Sequence, residues 1–192
     1  HHLDHDFIAE VITRHDRRVS GRDVAEAEHT AKAAIDAQFR ARREGTDASR
    51  QRTYYDAIME RLGVAEGVRP AIERSLREEN QRDSLWRVVH DDTPAVLSDL
   101  ERRGYTLGVV SNADGRVPAA LAASGLAPRF AAIVDSHLVG VEKPDPRIFA
   151  IALEGCGARP GEAIYVGDIY EIDVQGARGA GLTPVLLDPL GG

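Results

Sequence analysis

Ala163-Ile-Tyr-Val-Gly-Asp-Ile-Tyr-Glu-Ile-Asp173 decides the fold. Its apolar run, 163–166, stops at Gly167-Asp168 and gives way to a helical pattern over 173–180, so it reads as strand, tight turn and helix. The same alternation extends outward on both sides. Upstream lie a helix over 93–103 ending at Gly104 and a β-rich run over 105–110. A helix over 115–124 stopping at Gly125, a strand over 131–135 and a helix over 146–154 follow, and a strand over 183–187 lies downstream. Strands alternating with helices predict an α/β fold, a parallel Rossmann-like sheet with helices on both faces. Ligands of such sheets gather at the carboxyl ends of the strands, where Ser111 and Asp168 stand.

The first half has another rhythm. Ser20 followed by Asp23 resembles a capping box with Asp in place of Glu, and Val24, Ala27, Ala31, Ile35 and Phe39 then recur at helical spacing. A second helix runs from Asp47 or Ser49 to Leu62, with Tyr55, Ile58, Met59 and Leu62 on one face, and stops at Gly63. A third carries Val68, Ile72 and Leu76. No alternating strand falls within 6–85, so the expected organisation is a helical bundle over 1–87 and an α/β domain over 88–192.

Composition narrows the function. A net charge of −7 argues against a nucleic-acid footprint, and Arg-rich stretches such as Arg40-Ala-Arg-Arg43 alternate with acids, as solvated helix faces do. No apolar run approaches the roughly 20 residues that span a bilayer. The single cysteine, Cys156, forms no intrachain disulfide, fits a reducing cytoplasm and reads as a packing residue between two glycines. His1, His2 and His5 lack Cys or acidic partners at metal-ligand spacing and read as surface or tag residues. Arg40, Arg43, Tyr54 and Tyr55 could reach a ligand, but a solvated face and a packed core explain them equally.

Three polar elements carry the chemistry. Ser111-Asn112 ends one strand and precedes a helix, where a hydroxyl and loop amides can bond a phosphoryl oxygen; a plain Asn-Ala-Asp-Gly turn accounts for the same residues. Lys143, one of two lysines in an arginine-rich chain, sits in Val139-Gly-Val-Glu-Lys-Pro-Asp-Pro-Arg-Ile-Phe149. Asp145 is suited to cap and Pro146 to open the next helix, which holds the lysine in a Pro-flanked loop. A compact ammonium there can neutralise a phosphoryl group and hold a carboxylate; the alternative is an exposed lysine. Asp168 and Asp173 would stand about 140° apart on one helix, so they converge only if 168–172 form a loop. Such an oxygen-rich loop suits Mg²⁺, although Asp173 would equally cap a helix starting at Val174. Glu171 reads as facing water.

Taken in order, these residues resemble the haloacid dehalogenase superfamily of hydrolases in its branch with an inserted helical cap. Ser111-Asn112 is similar to its second motif, Lys143-Pro144 to its third, and Gly167-Asp168 with Asp173 to its fourth; the match covers 88–192, and the helical first half stands where the cap is inserted. The resemblance implies Mg²⁺-assisted transfer of a phosphoryl group from a small phosphorylated metabolite to water, through an aspartyl-phosphate. Ser111 and Asn112 would hold the phosphoryl group, and Lys143 would stabilise nucleophile and phosphate. Asp168 and Asp173 would be the metal residues, Asp168 as ligand and Asp173 also supporting Lys143 or a metal-bound water. The family's first motif, Asp-x-Asp-x-Thr, is not matched: neither Asp4 nor Asp6 follows an apolar strand. The expectation is that this strand lies upstream of residue 1, central in the sheet between the strands at 105–110 and 163–166, and that the chain alone does not turn over. A binding module that keeps the phosphate and cation pocket, a dehalogenase, a phosphomutase and a purely structural α/β protein are the other readings.

Overall fold

The computed structural model describes residues 2–41 and 47–188, the side chains of 47–51 excepted. Arg43 and His1 therefore lie outside the described residues. Two compact units meet at the Val88–Val89 boundary.

Unit 1 is built from β1 (His2–Leu3), α1 (His5–His15), α2 (Gly21–Ala41), α3 (Asp47–Arg61), α4 (Arg69–Arg82) and β2 (Trp86–Val88). The capping box at the head of α2 is formed: Ser20 Oγ accepts from Asp23 N–H at 3.2 Å, and Asp23 Oδ2 accepts from Ser20 N–H at 2.7 Å. Val24, Ala27, Ala31 and Ile35 are all buried, as their spacing requires. They pack with Ile58 and Met59 of α3, Ile8, Val11 and Ile12 of α1, and Ile72 and Leu76 of α4 as the buried interior of this unit. Helix α1 and the short antiparallel β1–β2 pair were not anticipated. Asp4 explains both: its carboxylate caps α1 at Phe7 N–H and receives Arg87 Nε of β2 at 2.8 Å. Arg87 also reaches Glu79 and Asp83. His5 is half-buried and tied into the fold, its Nε2 donating to Glu28 at 2.7 Å. Tyr54 and Tyr55 are core residues of this unit, and Tyr54 donates to the same Glu28.

Unit 2 contains α5 (Thr93–Arg102), β3 (Gly108–Ser111), α6 (Val117–Ala123), β4 (Ala132–Asp135), α7 (Ser136–Val139), α8 (Pro146–Cys156), β5 (Ile164–Gly167), a π-helical turn (Tyr170–Val174), α9 (Gln175–Gly179) and β6 (Thr183–Leu186). The βα alternation is present, and all strand pairing in this unit is parallel. The described strands of this unit form two pairs, β3–β4 and β5–β6. Leu107 C=O accepts from Ala131 N–H, so alternation turns Val109 and Ser111 toward β4, and Gly108 and Val110 away from it. By the same logic Ala163 and Gly167 face β6, and Ile164 and Val166 face the opposite edge. The core is Val134, Ile148, Phe149, Ala152 and Ala177, with Val110, Tyr165 and Leu182 packed on it. Helix α8 lies close enough to the strands that a Cβ on Gly108 would stand 2.8 Å from Cys156 Sγ. Cys156 is thus a packing residue, and burial pushes its thiol pKa up, away from reactivity.

Glu28 couples unit 1 to pH. Burial alone would raise its pKa, but hydrogen bonds from His5 and Tyr54 and the charge of Lys32 bring it down to about 2 from an ordinary 4.5. A depressed carboxyl stabilises the fold above its unfolded value, and that stability is lost as pH falls from about 4.5 toward 2. Urea melts followed by the single tryptophan, Trp86, should therefore weaken over this acid range, and Glu28→Gln should flatten the dependence.

Candidate active site

Three loops of unit 2 meet through named hydrogen bonds. The first leaves β3 at Ser111, which lies in register with Asp135 of β4. Asp135 is almost fully enclosed, and its carboxylate accepts from Gly115, Val117 and His137 N–H at 3.0–3.2 Å. Ser136 Oγ accepts from Ala113 N–H at 3.0 Å. Gly115 holds φ +95°, a conformation costly for any side chain, and a Cβ there would crowd His137. The loop behind Ser111 is therefore fixed to the end of β4 by an otherwise expensive buried carboxylate. Neither Asp135 nor Ser136 was singled out from sequence. The available signal was the one that drew attention to Ser111 and Asp168: a polar pair at the carboxyl end of an apolar strand.

The second loop carries Lys143 between α7 and α8. Asp145 caps α8 by accepting from Arg147 N–H, and Pro146 is its first residue, as the sequence predicts. The Lys143–Pro144 peptide is cis. Asn112 joins the first two loops: its Nδ2 donates to Lys143 C=O at 2.9 Å and its Oδ1 accepts from Lys143 N–H at 2.7 Å. Both ends of the Asn112 amide are thus committed to the lysine backbone, so its side chain positions Lys143.

The third loop follows β5. The expected helix over 173–180 begins instead as the π-helical turn 170–174 and becomes α-helical at Gln175. This wider turn brings Asp173 back beneath the strand end, where its Oδ2 accepts from Asp168 N–H and Ile169 N–H, each at 3.0 Å. These amides precede Asp173, so it does not cap the following helix in the usual sense. Its Oδ1 receives Lys143 Nζ at 2.7 Å. Gly167 is required for the fold-back, because a Cβ there would lie 2.4 Å from Asp173 Cβ and Cγ.

The resulting ion pair is buried, with side-chain exposures of 12% for Lys143 and 4% for Asp173. Tyr165, which sequence inspection passed over as a strand residue, completes it: Lys143 Nζ donates to its hydroxyl at 3.0 Å. Burial pulls the Lys143 pKa down, but Tyr165 and Asp173 outweigh it and hold the ammonium above its ordinary value. Burial, reinforced by Asp173, pushes the Tyr165 phenol up to about 12, against the opposing pull of Lys143.

Of the sequence-derived candidates, Asn112, Lys143 and Asp173 are joined directly; Ser111 adjoins Asn112 at the end of β3, and Asp168 joins through its backbone N–H. Asp168 is exposed just beyond β5. No group of three or more His, Cys, Asp and Glu side chains suited to a metal is found among the described residues. Asp173 is engaged by Lys143 and two backbone amides, and Asp168, the other expected ligand, stands exposed at the end of β5. That donor set suits Mg²⁺, which needs few protein carboxylates, and does not suit a Zn²⁺ cage.

Comparison with known proteins identifies the family. The family model for haloacid dehalogenase-like hydrolases matches residues 2–181, and the chain belongs to that family. It is 36% identical over 143 residues to a phosphoserine phosphatase from Thermus thermophilus, covering 72% of this chain and 54% of that one. It is 37% identical over 98 residues to a glyceraldehyde 3-phosphate phosphatase from Methanothermobacter thermautotrophicus, covering 50% of this chain and 43% of that one. The chain thus spans about half the length of the curated relatives it matches. Among solved structures, the magnesium-bound HAD-hydrolase YfnB from Bacillus subtilis superposes with a TM-score of 0.65 at 21% identity, covering 99% of this chain and 83% of that one. A HAD phosphatase from Thermococcus onnurineus gives a TM-score of 0.54 at 24% identity over 90% of this chain and 82% of that one. The fold is therefore a Rossmann-like core with a helical cap, and no helix among the described residues is long and apolar enough to cross a membrane.

Removing one member of the ion pair should be far worse than removing both. Asp173→Ala strands a buried ammonium and is expected to cost about 3–5 kcal/mol in urea melts. Asp173→Leu combined with Lys143→Met should recover much of that loss.

Proposed function

We propose that the complete protein is a Mg²⁺-dependent phosphatase acting on a small phosphorylated metabolite through an aspartyl-phosphate. The observation that carries this reading is the Lys143 ammonium, buried at the ends of the strands and joined among the described residues to Asp173 and Tyr165, which leaves one of its three N–H donors for an anion. Phosphoryl transfer depends mainly on positioning and charge neutralisation, and this site is organised for both. The relatives named as phosphatases of phosphoserine and glyceraldehyde 3-phosphate support the substrate class.

In this reading the Ser111 hydroxyl and loop amides hold the phosphoryl oxygens, and Asn112 keeps Lys143 in place. Lys143 balances the charge of nucleophile and phosphate. Asp168 holds Mg²⁺, which when bound neutralises phosphoryl charge. Asp173 takes the role of fixing Lys143. The nucleophilic Asp is supplied from upstream of residue 1, on a strand that enters between β3 and β5. Support comes from the edges of these strands, since Gly108, Val110, Ile164 and Val166 turn their backbone groups away from β4 and β6. The nucleophile displaces the substrate alcohol from phosphorus, and water then cleaves the aspartyl-phosphate to release inorganic phosphate. A single cysteine in a packing role supports a reducing, cytoplasmic setting.

The test is phosphate release by the protein extended through its upstream strand, assayed with phosphoserine and with small sugar and triose phosphates. Chelation should abolish activity and Mg²⁺ restore it. Asp168→Asn should lower kcat/KM by about 10²–10³, the scale of losing one electrostatic stabiliser of the transition state. Activity indifferent to chelation, or an upstream sequence with no Asp after an apolar strand, overturns the proposal.

A further inference from the structure

Tyr165 occupies a position in the site that no motif assigns. Its hydroxyl lies 3.0 Å from Lys143 Nζ, 3.3 Å from Asp173 Oδ1 and 3.3 Å from Val110 C=O. An ammonium only donates, so the hydroxyl must accept from Lys143 and direct its own proton to Asp173 or Val110. The ring is held independently of this polar cluster. It stands edge-on to Phe149 at a centroid distance of 5.0 Å and an interplanar angle of 83°, and Phe149 belongs to the fully buried core. The ring packs against the α8 core of Val134, Ile148, Phe149, Ala152 and Ala177, so its seat does not depend on Phe149 alone, and its hydroxyl sets where the ammonium sits.

We propose that Tyr165 is a positioning residue, a neutral acceptor that pins Lys143 from the core side so that its remaining N–H faces an anionic ligand at the Ser111 loop. The chemistry of the phenol is what distinguishes it from its alternatives. A carboxylate at the same point would place a second anion against Lys143 and cancel the charge that an incoming phosphoryl group requires. A phenylalanine would leave a buried N–H without an acceptor, and the flexible lysine stem would be free to turn. The phenol supplies an acceptor without charge, and its pKa, pushed up to about 12, keeps it neutral. The functional meaning of this role rests on the phosphatase reading, but the positioning can be measured without turnover.

The chain has two lysines, Lys32 and Lys143, so lysine labelled with ¹³C and ¹⁵N reports both ammonium groups directly by NMR. Lys143→Met assigns the signals, and Lys32, paired with Glu28 in the other unit, is an internal control. In the unmodified chain, the Lys143 ammonium protons should exchange with water far more slowly than those of free lysine; equal rates overturn the proposal with no variant needed. Tyr165→Phe keeps the ring against Phe149 and should speed that exchange about ten- to a hundredfold, the range expected for losing one hydrogen bond to a charged group. The Lys32 signal should not move. Phe149→Leu loosens the same core but retains the hydroxyl, and should change the Lys143 rate by less than about twofold if the hydroxyl bond is decisive. An unchanged Lys143 signal in Tyr165→Phe, or an equal change in Phe149→Leu, assigns Tyr165 to packing alone and overturns the proposal. In the extended protein, Tyr165→Phe should lower kcat while KM stays within about twofold, the pattern of an interaction made chiefly in the transition state. A raised KM with unchanged kcat overturns this role. Absence of phosphatase activity in the unmodified extended protein would sink the phosphatase reading while leaving the exchange result to stand.

Discussion

The buried contact between Lys143 and Asp173 is the constraint around which unit 2 is arranged. Taking both charges out of water costs several kcal/mol per ion, and their attraction offsets this only when the remaining polar atoms are satisfied. Asp173 meets that condition: one oxygen receives Lys143, the other two backbone amides. The amides belong to the residues that leave β5, so the charge that neutralises the lysine also sets the course of the chain around Asp168. The π-helical turn and Gly167 follow from this. A regular α-helix beginning at Asp173 would point its carboxylate elsewhere, and any side chain at 167 would occupy the space that Asp173 needs.

The same economy of parts holds the other loops. Asn112 fixes the lysine backbone while Asp173 and Tyr165 fix its tip, so a long and normally flexible side chain is restrained at both ends. Asp135 and Ser136 secure the loop in which Asn112 sits. Asn112, Asp135 and Ser136 stand at the end of a strand or the start of a helix and Tyr165 lies within β5, and these elements are held by the α8 core. Functional groups placed on such rigid elements keep their geometry better than groups carried by long loops.

Much of this was legible in the sequence where local rules and tertiary packing agree. The face Val24, Ala27, Ala31 and Ile35, the capping box at Ser20, and Asp145-Pro146 at the head of α8 each encode their structure within a few residues. The strand expected from Tyr105 starts only at Gly108, because strand pairing begins where Leu107 C=O meets Ala131 N–H and Tyr105 remains exposed. The sheet was expected to lack a central strand between those at 105–110 and 163–166, and the described strands form two separate pairs, one containing each of these. Tyr165 and Asp135 were passed over for a common reason. Each sits within or at the end of an apolar strand, where sequence reveals which face a residue takes but not which polar atom it will meet. The roles of both come from partners 18 to 55 residues away, Val117 and Gly115 for Asp135 and Lys143 and Val110 for Tyr165.

The choice of lysine at 143, in a chain that otherwise relies on arginine, follows from the same geometry. A guanidinium spreads its charge over a planar fork with five donors, all of which would need acceptors in this enclosed space. An ammonium concentrates its charge at one point and distributes three donors about it. Asp173 takes one and Tyr165 another, from two directions fixed by the turn after β5 and by the strand itself. With a single anionic partner that also serves two amides, the lysine is neutralised enough to remain buried but keeps a donor in reserve. A second carboxylate would make the pair more stable and less able to receive an anion, so the neutral phenol is the feature that reconciles burial of the charge with its use.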